Sequence, residues 1–341
     1  MKISTYAVLA AACCLSGVED SYAQKSTYSC LEIPYSSHAF ALGGGAAGIA
    51  VIDDDITLAG CNPGLLGSEV ETQISFNYMH YLGDSNFAGA HFGMEYGERS
   101  AWGCGIQYLG YGSATGTTPD GTVTGDFSMK DILLNGIYAY DITERLRGGL
   151  NIKMIASSYE HYSALALAAD VGVNYYDEER DMSLSLVLKN MGGQIKRFDR
   201  EYTRVPFDIQ MAWMQRIGTS PFQIGIAASH LTKWKMPYYT HSSDGTQESE
   251  LKDSFVSNLM RHLTFSLQYL PSDRFYIAAG YDYKTRTDMS TYRRNFLSGF
   301  SAGFGLKVRN FSIDISYAQP HKGGSSLMLN LAMNLQELIR K

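Results

Sequence analysis

Residues 327–336 read LMLNLAMNLQ, a stretch in which every second residue is large and apolar. The apolar positions are Leu327, Leu329, Leu331, Met333 and Leu335, and most residues between them are polar or small. Successive side chains of a β-strand point to opposite faces, so this period of two predicts a strand with one apolar and one mostly polar face.

The same alternation recurs along the chain from residue 70 onward, for example in MSLSLVLK at 182–189. Segments of this kind, bounded by turn residues, predict about fourteen strands. They cover approximately 70–82, 86–97, 100–112, 127–141, 146–159, 161–176, 181–193, 205–217, 220–232, 257–270, 274–286, 294–308, 310–319 and 325–338.

The connections between these segments differ in length. Several are tight, such as Arg309-Asn310 and Pro271-Ser272-Asp273. Longer polar connections are predicted near 112–126, 194–204, 233–256 and 287–293, and most of them fall at the opposite end of the sheet. Short turns at one end and long loops at the other are typical of membrane barrels, whose strands need roughly 9–11 residues to cross the hydrocarbon.

A sheet that spans lipid must close on itself, because an unpaired backbone group there costs several kcal/mol. The alternative is a soluble β-sandwich, which would also alternate apolar and polar positions. A sandwich would keep an ordinary density of charge on its polar face, whereas here that face is rich in Gly, Ser, Ala and Asn, which suits a lumen. We therefore predict an all-β protein, a transmembrane antiparallel β-barrel of about 14 strands over residues 70–341.

The composition argues against other classes of protein. Charged residues make up 18% of the chain, and its 34 glycines and 24 tyrosines disfavour a helical bundle. No stretch after the N-terminus approaches the roughly 18 apolar residues of a membrane-spanning helix. The formal net charge of −6 and the lack of a basic stripe give no reason to expect nucleic acid as a partner.

The first residues have the features of a secretory signal. Lys2 precedes a mostly apolar run at 3–18, and Ser21-Tyr22-Ala23 forms a small-residue cleavage site. We expect a signal peptide at residues 1–23, export, and a final location in the outer membrane of a Gram-negative bacterium.

Three cysteines follow the predicted cleavage site, namely Cys30, Cys61 and Cys104. An odd number without a C-x-x-C pair indicates neither a disulfide framework nor a zinc site. One bridge with a free thiol and three buried thiols both fit the sequence.

Residues 24–69 lack the alternation and contain GGGAAG at 43–48 and NPGLL at 62–66. We interpret residues 24–69 as a hatch, a segment packed inside the barrel that partly plugs it. Asp53, Asp54 and Asp55 would accept backbone N–H bonds at a turn or helix start. A calcium site is the sharper alternative, although three adjacent aspartates cannot all face one ion.

Short enzyme motifs occur without the context that gives them meaning. Residues 43–48 fit G-x-G-x-x-G but lack a βαβ unit, 299–303 fit G-x-S-x-G but lie within a strand, and 249–252 fit S-x-x-K without its companion motifs. The histidines form no metal motif, although His80 and His91 could lie near one another across the first hairpin. We predict no enzyme, with no catalytic, cofactor-binding or metal-binding residue and no cofactor.

Two parts of the hatch resemble a known family. Ala41-Leu42-Gly43-Gly44, followed by Asn62-Pro63-Gly64-Leu65-Leu66, looks like the N-terminal hatch of barrels similar to the FadL long-chain fatty-acid transporter. An alanine-rich N-P-A version of the second segment is common in that family. The resemblance implies a FadL-like barrel with an N-terminal hatch.

Four further segments carry a more specific resemblance. They read NYYDEE at 174–179, LKNMGGQ at 188–194, PFDIQ at 206–210 and HLTKW at 230–234. With them the chain resembles the PorQ family, outer-membrane components of the type IX secretion system of Bacteroidetes. The family takes part in exporting proteins that carry a C-terminal sorting domain.

The PorQ resemblance implies a set of partners. PorQ-like barrels are associated with an attachment complex of PorU, PorV and PorZ, which joins cargo to anionic lipopolysaccharide, and they anchor the surface protein PorZ. The implied partners here are therefore a PorZ-like surface protein, PorU and PorV, and outer-membrane lipid and lipopolysaccharide.

We expect the long loops to face outward and to dock that partner. Residues 194–204 and 233–256 are the main candidates, and the first loop carries Lys196, Arg197, Asp199, Arg200 and Glu201. A merely solvated loop is the alternative for each. The rival function is a FadL-like transporter of hydrophobic small molecules, which predicts a continuous apolar cavity and a broken strand near the hatch, whereas docking predicts a blocked lumen.

Overall fold

The computed structural model describes most of the chain. The described ranges are 28–118, 120, 122–160, 162–198, 202–241, 249–288, 297–321 and 324–336. The expected signal peptide (1–23), the loop residues Asp199, Arg200 and Glu201, and the centre of the 233–256 loop lie outside the described residues.

Fourteen antiparallel strands close into one barrel, and two more form a separate hairpin. The barrel strands are β1 (Thr72–His80), β2 (Asn86–Glu95), β3 (Ser100–Thr117), β4 (Val123–Thr143), β5 (Leu146–Tyr159), β6 (Tyr162–Asp177), β7 (Met182–Lys196), β8 (Asp208–Arg216), β9 (Phe222–Ala228), β12 (Leu263–Ser272), β13 (Phe275–Asp282), β14 (Phe300–Val308), β15 (Phe311–His321) and β16 (Gly324–Asn334). The hairpin strands are β10 (Tyr238–His241) and β11 (Ser249–Lys252).

The ring closes where β1 pairs with β16, from Gln73 opposite Asn334 to His80 opposite Leu327. Each other barrel strand pairs with its neighbours in chain order, except that β9 pairs with β12 because the β10–β11 hairpin lies between them. The expectation of a closed antiparallel barrel of fourteen strands is confirmed.

The two faces of the wall are the reverse of those of a water-soluble protein. Along β16, Leu327, Leu329 and Leu331 are exposed, while Asn330 and Ala332 are each 1% exposed. The apolar face therefore points outward, where acyl chains would meet it, and the polar face points into the lumen.

The connections alternate between two ends of the barrel. At the end where the hatch leads into β1, called the turn end, the connections are short, such as 144–145 and 309–310. The opposite loop end carries the longer connections 197–207, 229–262 and 283–299. Two helices lie in these connections, α3 (Phe255–His262) and α4 (Tyr283–Asp288). Within the described ranges, no helix is both long and apolar enough to cross a bilayer.

Most strand predictions match within a few residues, but two regions differ. Residues 257–262, expected to begin a strand, form the end of α3, because Ser254 caps the helix by accepting the Ser257 N–H. Residues 283–286, expected to end a strand, belong to α4. The loop expected at 112–126 is shorter than predicted because β3 and β4 continue to pair as far as Thr117 and Val123.

The described part of the hatch, residues 28–69, consists of short helical pieces, the last of which ends one residue later at Val70. They are the 3₁₀-helices Ser29–Glu32, Ile56–Gly60, Pro63–Leu65 and Ser68–Val70, with α1 (Ser37–Ala41) and α2 (Gly45–Gly48). Hatch side chains such as Leu42 and Ile49 form one buried cluster with the inward-facing Val187, Met214 and Ala278 of the wall. The hatch therefore fills lumen space and supplies much of the apolar core.

Candidate functional site

The hatch touches the wall where the strands carry glycine. A Cβ built on Gly172 would lie 2.0 Å from Asn62 Oδ1, and one on Gly149 would lie 2.3 Å from the carbonyl carbon of Pro63. Neither contact is sterically allowed. Glycine at these two inward positions of β5 and β6 is what lets residues 62–64 rest directly on the strands.

Asn62 fixes that contact through its side chain. Its Nδ2 donates to the Ile49 carbonyl (2.8 Å) and to Ser185 Oγ (3.1 Å), and its Oδ1 accepts the Gly64 N–H at 2.8 Å. Because Asn62 is fully buried, losing any partner would leave an amide group unpaired. The NPG motif is thus both a helix cap and an attachment between hatch and wall.

The three adjacent aspartates have different partners. Asp55 caps the Ile56–Gly60 helix, with its Oδ1 accepting the Thr57 N–H at 2.9 Å. Asp54 Oδ2 accepts a longer hydrogen bond from Lys307 Nζ, at 3.4 Å. Asp53 Oδ1 accepts a hydrogen bond from Lys307 Nζ of β14 at 2.5 Å. Lys307 was not predicted as a site residue, because only barrel closure brings it to the hatch.

His38 completes this polar contact. Its Nδ1 lies 3.3 Å from Asp53 Oδ2 and its Nε2 lies 2.8 Å from Gln268 Oε1, so both ring nitrogens face acceptors, as in a protonated ring. Burial alone would lower the pKa of His38, but the hydrogen bond to Asp53 and the charge of Asp53 raise it above its ordinary value. Burial alone would raise the pKa of Asp53, but Lys307 and His38 hold it well below its usual range.

The calcium alternative gains no support from this geometry. Asp53 and Asp54 already contact the Lys307 ammonium, and the Asp55 carboxylate accepts a hydrogen bond from the Thr57 hydroxyl. In the part of the chain that the structure describes, no group of three or more His, Cys, Asp or Glu residues is arranged to hold a metal.

A second buried charge pair lies on the lumen face of β5 and β6. Lys153 Nζ lies 2.8 Å from Asp170 Oδ1 and donates to Asn190 Oδ1 at 2.5 Å, and both charged side chains are almost fully buried. Asn190, held at a positive φ of 58°, also donates its backbone N–H to Asp170. Sequence reasoning missed this pair, although a lysine flanked by the outward-facing Ile152 and Met154 signals a charge in the lumen.

Near the turn end, the inner face of β2 to β4 and the outer face of β3 to β5 are both apolar, and we call this region the wall site. Inside, a buried cluster consists of Ile56, Ala59, Leu66, Val70, Ala101, Ile137 and Ala139. The paired residues Gly93 and Gly103 face this cluster, and a Cβ on Gly93 would lie 2.5 Å from Ile56 Cδ1.

The outer face of the wall site is a groove of about 540 Å³. It is lined by Trp102, Gly103, Cys104, Leu134, Asn135, Gly136, Ile137, Tyr138, Leu150, Ile152 and Met154. Gly136 faces outward opposite Cys104, and a Cβ there would meet no atom within 4 Å. Gly103 leaves the inner face of the wall without a side chain and Gly136 leaves the outer face without one, so the wall is thin between the groove and the apolar cluster. β3 pairs without a register shift here, so the broken strand expected of a transporter is not seen at this point.

The three cysteines in the described part of the chain are all free and only two of them are buried, which fits neither arrangement expected from the sequence. Cys30 and Cys61 are buried, whereas Cys104 is exposed on the outer face. Burial raises the pKa of both hatch thiols, so they are protonated and unreactive near neutral pH.

The predicted docking loops are only partly described. In 194–204, Lys196 donates to Ser163 Oγ at 2.6 Å and the Arg197 guanidinium lies over the Tyr202 ring. In 233–256, the β10–β11 hairpin packs near α4, with the Tyr238 and Tyr283 hydroxyls 3.0 Å apart.

The remaining sequence candidates have structural roles. Ser301, the serine of the G-x-S-x-G match, lies within β14 and donates to the Ala41 carbonyl of the hatch at 2.8 Å. The expected approach of His80 and His91 is wrong. β1 and β2 place His80 opposite Asn86 and His91 opposite Ser75, so His80 is exposed while His91 is buried.

No protein-family model matches the chain, and no curated protein matches it either. Among solved structures, it is similar to the toluene transporter TodX of Pseudomonas putida, with a TM-score of 0.52 and 12% identity over 88% of this chain and 97% of that one. A TodX monoaromatic hydrocarbon channel with the deltaS2S3 mutation gives a TM-score of 0.53 at 12% identity, covering 87% and 97%. A FadL homologue of Pseudomonas aeruginosa gives 0.48 at 13% identity, covering 87% and 97%.

The fold is FadL-like. This fold agrees with the resemblance of the hatch segments. The similar structures are described as a transporter and channels rather than as enzymes.

Proposed function

We propose that this chain is an outer-membrane transporter that moves hydrophobic small molecules between the lumen and the surrounding bilayer. The wall site is the observation that carries the proposal. Its inner cluster and its outer groove are both apolar, and glycines thin the wall between them. An apolar solute could cross there without desolvating a charge, whereas the lumen at Lys153 and Asp170 is ionic.

The likeness to TodX, which is described as a toluene transporter, supports the same proposal and suggests a monoaromatic hydrocarbon as the first substrate to test. Movement of the hatch side chain Ile56 away from Gly93 and Gly103 would open the path. Because β3 pairs continuously with both neighbours here, passage also requires the backbone hydrogen bonds between β3 and β4 to open near Gly103 and Gly136.

The test is uptake of radiolabelled toluene by cells that carry the protein. In Gly136→Leu the new Cβ would meet no atom within 4 Å and the side chain would fill part of the groove, so we expect uptake to fall several-fold while the barrel still folds. The matched control is Ala302→Leu, at an exposed outward position of β14, which should leave uptake unchanged. Equal uptake by both variants, or uptake no greater than in cells without the protein, would refute the proposal.

A second candidate is the anchoring of a PorZ-like surface protein in the type IX attachment complex, together with PorU and PorV. The observation that favours it is the close packing of the hatch. One gap between hatch and wall, lined by Ile33, Asn77, Phe87 and Met328 among others, has a volume of about 10 Å³, room for about one water. The folded elements α4 and β10–β11 at the loop end would supply the docking surface.

Deletion of the gene separates the two functions. If the barrel is an anchor, cargo bearing the sorting domain is released from the cell surface instead of remaining attached to lipopolysaccharide. If it is a transporter, cargo stays attached and only uptake is lost. Removing residues 236–252 without loss of PorZ-like partner co-purification would count against that loop as the docking surface.

A further inference from the structure

The barrel wall is much lower on one side than on the other. β3 and β4 have 18 and 21 residues, whereas β9 has 7 and β13 has 8. At about 3.3 Å per residue, β9 extends about 23 Å even before tilting, less than the apolar band of about 25 Å on a membrane barrel. On this low side, something other than strand must cover the remaining height of the hydrocarbon.

Helix α3 stands at the loop end of this low side, directly before β12. Its apolar residues face outward, and Phe255 and Val256 are each 66% exposed. Its polar residues face inward, since Asn258, Arg261 and His262 are buried. A surface helix in water has the opposite arrangement, so α3 shows the same reversal of faces as the strands below it.

The inward face of α3 is held by specific bonds. Arg261 pairs with Asp288 and donates to Thr287 Oγ1 at 2.5 Å, both on α4. Asn258 Oδ1 accepts the Met236 N–H at 3.0 Å. Rotating the helix to bury its apolar face would break these bonds and leave the Arg261 guanidinium buried without partners. The bonds therefore fix the apolar face outward.

Trp234 extends the same outward surface. Its ring stacks on His262 and lies 5.2 Å from the ring of Phe255, and its carbonyl faces His262 Nε2 at 3.1 Å. The neighbouring Lys233 and Lys235 are exposed. An aromatic ring flanked by lysines is typical of the boundary between acyl chains and headgroups.

We propose that Trp234, Phe255, Val256, Leu259 and Met260 form a helical belt that contacts lipid acyl chains, with Lys233 and Lys235 reaching headgroup phosphates. The belt continues the lipid-facing surface of the wall, where Ile224 and Ile226 of β9 and Leu267 of β12 are exposed directly below it. This continuity identifies the bilayer, rather than a protein, as the occupant of the face. The proposal holds whether the barrel transports or anchors.

The experiment uses the three tryptophans of the chain. The mature protein with Trp102→Phe and Trp213→Phe keeps only Trp234 and is reconstituted into phosphatidylcholine vesicles whose acyl chains are brominated near the headgroup. We expect the lipid bromines to quench about half or more of the Trp234 fluorescence, because the ring would lie at that depth. Aqueous iodide should quench it weakly.

The matched control keeps Trp213, which faces outward from β8 between the buried Ala212 and Met214, and brominated lipid must quench it for the assay to be valid. The proposal is overturned if brominated lipid leaves Trp234 unquenched, whether iodide reaches the ring or not. A face reserved for a partner protein would give that result, since the purified chain would leave it in water.

A second measurement does not depend on tryptophan. A spin label on Val256→Cys, in a Cys104→Ser background, should collide more with oxygen than with a water-soluble nickel chelate, as a label on Ile226→Cys in the wall does. A label on Thr122→Cys, at an exposed loop tip, gives the opposite preference. A label at 256 that behaves like the one at 122 would overturn the proposal.

Discussion

The tall and low sides of the barrel reach the same outer surface by different means. On the tall side, β3 to β7 have 14 to 21 residues and span the hydrocarbon themselves. On the low side, strands of seven to ten residues end early, and the α3 belt stands above them. The difference teaches that an apolar outer face, rather than strand length, is the common feature of the wall. The lumen differs too, since the tall side holds the buried Lys153–Asp170 pair.

The largest effect is expected from breaking that pair. Lys153→Met leaves Asp170 buried without its cation, which should lower the free energy of unfolding by about 3–5 kcal/mol. Urea unfolding of the mature chain in vesicles measures the loss. Lys196→Met, at an exposed site that contacts Ser163, is the control and should cost less than about 1 kcal/mol. If Lys153→Met and Lys196→Met lower the free energy of unfolding by similar amounts, burial of the Lys153–Asp170 pair does not explain the effect.

The next prediction compares the depth of the two outer surfaces. Leu329→Lys places an ammonium midway along β16 and should cost about 2–4 kcal/mol, whereas Val256→Lys, near the headgroups, should cost about 0–1 kcal/mol. Both residues are exposed outward, so the contrast reports depth rather than packing. The same urea titration measures it, and equal costs would place the two positions at one depth.

A smaller effect is expected at the seat of the hatch. Gly172→Ala forces a Cβ against Asn62 Oδ1, which should cost about 1–3 kcal/mol and loosen residues 62–64 from the wall. Limited proteolysis of the hatch in vesicles measures that loosening. Gly136→Ala, where the new methyl meets no neighbour, should leave cleavage unchanged. Equal protection in both variants would show that the hatch does not depend on this contact.

The smallest expected effect concerns pH. The pKa of His38 is raised in the folded chain, so its contribution is fully present below about pH 6.5, the ordinary value for histidine, and is lost as pH rises through the folded pKa. Cleavage of the hatch by protease should therefore increase modestly toward alkaline pH. In Asp53→Asn, which removes the carboxylate that holds the proton, this increase should vanish. An unchanged pH profile in Asp53→Asn would exclude the His38–Asp53 pair as its source.

The sequence predicted the wall well because one rule, alternation, governs every strand. It failed at α3 for a physical reason. Phe255, Val256, Leu259 and Met260 repeat with helical spacing, but the adjoining Leu263 and Phe265 alternate, and the two patterns merge in one apolar stretch.

The site was harder to predict than the wall, because its contacts join residues far apart in the chain. Asp53 meets Lys307 across 254 positions, and that meeting depends on the ring being closed. The prediction that His80 and His91 lie close together failed because the two residues, although on adjacent strands, point to opposite faces of the sheet. Two local features of the site can be read from the sequence, namely the NPG motif at 62–64 and the inward-facing Lys153 of β5.

Closure through β1 and β16 also sets the order in which the molecule can be assembled. β16 follows the other barrel strands in the chain and supplies the partner of β1, so the ring stays open until β16 has joined it. The hatch precedes β1 in the chain and is enclosed by the strands that follow it, so the seam between β1 and β16 completes its enclosure.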